Sequence, residues 1–102
     1  MKRVVFLALS LAAVSALGAN MTGYVSDAKC GKAHVDGSEK SIKCVEACVK
    51  GGVAPVFVSG DKIYQLDDAS KQKVMDHLGH KVTVNGSVEG DTLTIKSVKT
   101  AS

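Results

Sequence analysis

The sequence predicts a small, mainly β domain of the α+β class: a five-stranded OB-like barrel with one helix between strands 3 and 4 and a Cys-rich helical insertion after strand 1. Three observations carry that expectation. The length of 102 residues allows one domain. After Pro55 apolar and polar residues alternate at period two, in two pairs of runs each joined by a Gly-Asp pair. A short segment with helical spacing separates the pairs. With a first strand ahead of them, and the Cys-rich insertion left aside, the order is β-β-β-α-β-β, that of a five-stranded OB-type barrel. Closing the sheet hides edge strands that two isolated hairpins leave open. An open α+β sheet with one helix on its face is the alternative architecture.

Residues 1–19 are set apart by composition. Met1-Lys2-Arg3 is a short basic start, Val4 to Leu17 is apolar except for Ser10 and Ser15, and Gly18 and Ala19 are small. That order is the signature of a secretory signal peptide, with cleavage expected after Ala16, Gly18 or Ala19. An apolar run of fourteen residues spans roughly 21 Å as a helix, short of the ~30 Å hydrocarbon core. Residues 20–102 are then expected to form a single OB-like domain, periplasmic or secreted, with no membrane span after signal removal. The chain has 13 Lys+Arg against 10 Asp+Glu. Lys2 and Arg3 fall in the leading segment, so the remainder is nearly neutral, which argues against a charge-driven nucleic-acid surface. The remainder offers only Tyr24, Phe57 and Tyr64 as stacking platforms, and Phe57 is assigned to the core. No nucleic-acid partner is expected.

The first strand is read over Met21–Ser26, with Tyr24 and Val25 as its packing residues. Residues 27–40 are polar and Gly-containing, hence a loop. Over Ser41–Lys50, Lys43, Glu46 and Lys50 fall on one side of a helical wheel; Ile42, Cys44, Val45, Cys48 and Val49 fall on the other. Gly51-Gly52 stops that helix. The runs Val56–Val58 and Ile63–Leu66 flank Gly60-Asp61 as a hairpin. Asp67 or Asp68 caps a second helix over Ala69–Leu78, with Val74, Met75 and Leu78 inward and Gly79 as its end. Val82, Val84 and Val88, then Leu93 and Ile95, alternate about a Gly90-Asp91 turn. Asn85-Gly86 reads as a bulge within the fourth strand.

The residues with chemistry are Cys30, His34, Cys44 and Cys48, in the pattern C-x3-H-x9-C-x3-C. In an oxidising compartment a Cys pair usually forms a disulfide, and a domain of this size gains from a staple. Cys44 and Cys48 are i,i+4 neighbours on a helix, with Cβ atoms about 5–6 Å apart, whereas a disulfide needs about 3.5–4.5 Å. The expected bridge therefore joins Cys30 to Cys44, at the flank of the apolar face, with Cys48 as the alternative partner. It closes a loop of about 15 residues, an entropic stabilisation of roughly 3 kcal/mol. A second reading is a metal site. Two cysteines one turn apart reach one ion, Cys30 and His34 complete four ligands, and the set suits zinc or copper(I). A third is thiol redox chemistry, with Lys29 and Lys32 flanking Cys30, but there is no C-x-x-C pair.

The other candidates have structural readings. His77 and His80 form H-x-x-H around Gly79, where a histidine in the last helical turn is favoured by the helix dipole. Asp67-Asp68 reads as a cap. Asp27 reads as a turn residue, or as an outer partner of a metal ligand. Asn20-Met21-Thr22 and Asn85-Gly86-Ser87 match the glycosylation tripeptide. Ser38, Ser59 and Ser87 sit in turn or strand contexts, and no catalytic constellation or phosphate-cradling glycine loop stands out.

Four segments carry a resemblance: Asp27-Ala28-Lys29-Cys30-Gly31, Cys44 to Gly52 (CVEACVKGG), Pro55-Val56-Phe57-Val58 and Gly79 to Gly86 (GHKVTVNG). Together they resemble small exported bacterial proteins of unknown function with an OB-like fold and a three-cysteine insertion. The resemblance implies a bacterial envelope or secreted location and an OB-like fold, and brings no catalytic residue with it. The functional expectation is an exported, non-enzymatic binding or accessory module stapled by one disulfide and needing no cofactor. The alternative is a zinc- or copper-binding, or thiol-redox, protein that uses the Cys/His cluster.

Overall fold

The computed structural model describes residues 19–101, with His34 in its backbone only; the expected signal segment falls almost wholly outside the described residues. The chain is a small α+β protein, mostly strand, with a five-stranded sheet and two α-helices. The order is β1 (Ala19–Asp27), α1 (Glu39–Lys50), β2 (Pro55–Ser59), β3 (Lys62–Leu66), α2 (Asp68–Val74), β4 (Lys81–Glu89) and β5 (Thr92–Thr100). One 3-10 turn, Gly31–His34, follows β1, and another, Met75–His77, follows α2.

β1 pairs antiparallel with both β2 and β4, β2 with β3, and β4 with β5. A short parallel contact of β3 with β5, at Gln65↔Thr92 and Leu66↔Leu93, completes the circuit β1-β2-β3-β5-β4. Every described strand thus has a neighbour on both sides, which removes open edges. The pairing of β4 with β5 slips between Asn85 and Gly86, where the sequence places a bulge. Inside the circuit, Val25, Phe57, Leu66, Val82, Val84, Leu93 and Ile95 form the core with Val74 and Leu78 from the second helical segment. Val45 joins them from α1 and is fully buried, so the insertion is anchored to the same core as the sheet.

Both helices are set by their ends. α1 starts two residues ahead of the expected Ser41, because Ser38 caps it: its hydroxyl accepts the Ser41 N–H at 3.2 Å, and Glu39 stands in the first turn, where the helix dipole favours a negative charge. Residues 38–40 are polar, and helical spacing of apolar residues could not register them. α2 is capped by Asp67, whose Oδ1 accepts the Ser70 N–H at 2.9 Å while Oδ2 accepts from the Thr94 hydroxyl of β5 at 3.2 Å. The Ser70 hydroxyl, fully buried, accepts the Ile95 N–H at 2.7 Å and ties α2 to β5.

The expected helix over Ala69–Leu78 is corrected by this geometry. α2 ends at Val74 and tightens into the Met75–His77 turn. A 3-10 turn advances about 120° per residue instead of about 100°, so Val74 and Leu78 stay inward while Met75 is rotated out, 43% exposed. Gly79 then reverses the chain at φ +81°, and a Cβ there would lie 2.5 Å from the Ile42 Cα of α1. Only glycine lets this turn and α1 touch backbone to backbone.

Candidate functional site

The three cysteines are assembled by the junction of β1 and β2. At the end of β1, Asp27 pairs with Pro55, the first residue of β2, and the Ala28 N–H donates to the Ala54 carbonyl at 2.9 Å. Asp27 Oδ1 accepts the N–H groups of Lys29 at 3.0 Å and Cys30 at 2.9 Å, and so folds the chain back into a tight loop. The buried Ser26 hydroxyl donates to the Gly31 carbonyl at 2.6 Å and pins the far side of that loop. On the other side of the junction, the Cys48 carbonyl accepts the N–H groups of Gly51 at 3.1 Å and Val53 at 3.0 Å. Those bonds lead directly from α1 into β2. Cys30 is therefore tied to the last residue of one strand and Cys48 to the approach of its neighbour. Cys44 sits one helical turn behind.

The ligand sulfurs of Cys30, Cys44 and Cys48 all lie within 4.8 Å of one another, and all three residues are half-buried. No disulfide joins them: each is a free thiol, so neither the expected Cys30–Cys44 bridge nor its Cys30–Cys48 alternative is formed here. Zinc–thiolate bonds of about 2.3 Å place tetrahedral sulfurs about 3.8 Å apart. The 4.8 Å bound on the cluster exceeds that spacing by about 1 Å. The His34 backbone ends the 3-10 turn after Cys30. Its side chain, the fourth ligand of the sequence reading, lies outside the described residues.

Asp27 is the turn residue that the sequence reading expects, but its burial was not foreseen. It is fully buried, and its Oδ2 has no hydrogen-bond partner. Such oxygens are rare in folded proteins, because the desolvation of a carboxylate is otherwise uncompensated. An Asp whose N–H partners stand two and three residues ahead, next to a Cys, is the local signal that could have found it. Burial, then the Asp27 charge, then the neighbouring Cys48 and Cys44 sulfurs, raise the Cys30 thiol above its ordinary range. Three sulfurs so placed can converge on one thiophilic ligand.

The remaining candidates are placed elsewhere. His77 is half-buried and His80 exposed, linked by the His80 N–H to the His77 carbonyl at 2.9 Å. Among the described residues the cysteine trio is the group with metal-ligand geometry. Asn20 and Asn85, the asparagines of the two glycosylation tripeptides, face each other across β1 and β4, with Asn85 Nδ2 donating to Asn20 Oδ1 at 2.9 Å. Phe57 is in the core and Tyr64 half-buried beside it, with ring centroids 6.4 Å apart. No protein-family model, curated protein or solved structure matches the chain.

Proposed function

We propose that the chain is an exported, non-enzymatic module that holds one thiophilic metal ion, zinc or copper(I), through Cys30, Cys44 and Cys48 on an OB-like barrel. The observation that carries this reading is the convergence of three sulfurs from two separate elements within 4.8 Å. A staple needs two such groups, and the third has no structural task in it. The circuit β1-β2-β3-β5-β4, with a helix between β3 and β4, supports the OB-like description. The basic start and apolar run of residues 1–19 support export. His34 is the fourth ligand that the sequence offers. The ion would bind the thiolates, release their protons and shield the sulfurs from oxidation.

The test is thiol counting with and without metal. Reduced protein is expected to bind one zinc or copper(I) ion per chain and to lose alkylation at all three cysteines until a chelator is added. Full alkylation in the presence of a stoichiometric ion rules the site out. The second reading is a disulfide staple from Cys30 to the helix, favoured by the approach of the Cys30 sulfur to within 4.8 Å of both helix sulfurs. In that case the exported protein is expected to show one reactive thiol and one bridged pair.

A further inference from the structure

We infer that residues 31–37 form a strap latched by the cysteine site. An ion held by Cys30, Cys44 and Cys48 keeps the strap closed over an apolar row on the outer side of β1–β3, and loss of the ion lets it open. This rests on the reading of the three cysteines as one metal site and gives that site a conformational consequence.

The strand registers define the row. Phe57 points into the core, so its neighbours Val56 and Val58 point to the outer side of β2. Both stand apart from the main core cluster, yet they are only 4% and 2% exposed. Val58 pairs with Tyr24 of β1 and with Ile63 of β3, and directly paired residues share a face. Tyr24, Val58 and Ile63 thus make a row across three strands on the outside of the sheet. Valines on that side are buried only if something lies over them.

The cover is the segment that follows Cys30. The Gly31–His34 turn packs on β1 and β2. At one end, a Cβ on Gly31 would stand 3.1 Å from Ile63 Cδ1. The Ser26 hydroxyl, on the same outer side as its partner Val56, donates to the Gly31 carbonyl at 2.6 Å. At the other end, a Cβ on Gly37 would stand 3.5 Å from the Tyr24 ring. The segment therefore crosses the row from β3 to β1.

Little besides that seat holds it. Lys32, Ala33 and Asp36 are exposed and Val35 is half-buried. Among the described residues its one hydrogen bond to a strand is that from Ser26 to Gly31. Segments with so few buried apolar groups and backbone bonds open at low free energy. Gly31 and Gly37, at φ +54° and +72°, bracket it as hinges. Both ends meet α1: Ser38 caps its start, and the Cys30 sulfur lies within 4.8 Å of those of Cys44 and Cys48. α1 is itself seated in the core by Val45. An ion joining Cys30 to the helix ties both ends of the strap to one rigid element and removes the conformations in which it swings away. Without the ion, only the Ser38 end is fixed to α1. The ion favours the closed strap, and by linkage the closed strap favours the ion by the same factor.

The experiment compares, by NMR, the reduced protein alone with the same protein loaded with zinc alone or copper(I) alone. The loaded protein is expected to show Gly31–Ile63 and Gly37–Tyr24 proton contacts, with backbone order parameters of about 0.85 over residues 31–37. Removing the ion is expected to erase those contacts and to drop the order parameters below about 0.6, with β2 and β3 unchanged. Ile63→Ala removes part of the seat and no ligand, so it is expected to weaken ion binding about fivefold or more. Cys30→Ser uncouples the strap from any ion left on the helix, so its strap is expected to stay open with or without zinc. Ion binding with a strap equally ordered in both states overturns the inference and leaves the metal reading standing. An Ile63→Ala variant that binds the ion as tightly as the unsubstituted protein does the same. Absence of any ion binding removes the metal reading, and the latch with it.

Discussion

The Asp27 carboxylate accepts the Cys30 N–H at 2.9 Å, so the buried charge that shapes the loop also sits beside the thiol that the loop presents. Burial is the larger cause of the raised Cys30 pKa and Asp27 the next. The sign follows. The fold favours the protonated thiol, so its contribution is intact below the unfolded thiol pKa and is lost as pH rises through the folded one. Alkylation of Cys30 against pH is expected to have its midpoint above that of an unstructured thiol. Asp27→Asn is expected to lower the midpoint part of the way, because burial remains. An unchanged midpoint would show that the carboxylate does not act on this sulfur.

Gly79 and Gly52 separate backbone strain from collision. Both have positive φ, +81° and +105°, but a Cβ at Gly52 meets nothing within 4 Å, whereas at Gly79 it meets Ile42 of α1. Gly52→Ala is expected to cost about 1–2 kcal/mol, the strain of a left-handed alanine. Gly79→Ala adds overpacking against a helix backbone and is expected to cost about 3 kcal/mol or more. Urea unfolding of the two variants measures the difference. Equal losses would mean that α1 is not seated on this turn.

Local chemistry in this chain is legible, and long-range partnership is not. The Gly60-Asp61 and Gly90-Asp91 turns, the Asp67 cap and the Asn85-Gly86 slip each depend on a few adjacent residues, and each stands where the sequence places it. The pairing of β1 with β4 and the parallel contact of β3 with β5 join residues far apart in the chain, and no periodicity encodes such partners. Met75 was misread because a change from α to 3-10 winding shifts the phase of a helical wheel without changing composition. The cysteines were legible as a cluster from their spacing. Asp27 was legible as a turn residue, and its Oδ1 does accept the Lys29 and Cys30 N–H groups; its complete burial was not legible, because aspartates in turns are ordinarily solvated.

The entry to α1 sets an acid response. Asp36 Oδ1 accepts the Ser38 N–H at 2.9 Å. That bond, helped by the Ser41 and Ser38 hydroxyls, lowers the Asp36 carboxyl to about 2. A depressed carboxyl contributes above its unfolded value of 3.8 and loses that contribution as pH falls through about 2. Asp67 is lowered too, by the Ser70 hydroxyl and then the Ser70 N–H. Amide exchange at the start of α1 is therefore expected to stay slow at pH 4 and to quicken toward pH 2, and Asp36→Asn is expected to remove that dependence. Titration of Asp36 near 4, followed by NMR of its carboxyl carbon, would contradict the bond.

Oxidation of the metal-free protein tests which sulfurs can meet. Cys44 and Cys48 project from one regular helix, where i,i+4 Cβ atoms stand about 5–6 Å apart, too far for a disulfide. Cys30 comes from a separate loop, and its sulfur lies within 4.8 Å of each of theirs. Mild oxidation followed by peptide mapping is expected to recover Cys30 bridged to Cys44 or to Cys48, with the third cysteine left alkylatable. Prior loading with the bound ion is expected to suppress both bridges, because all three sulfurs are then engaged. A recovered Cys44–Cys48 link would mean that the last turns of α1 open readily. The sulfur convergence would then be one conformation of a mobile segment, and a metal site built on it would bind weakly.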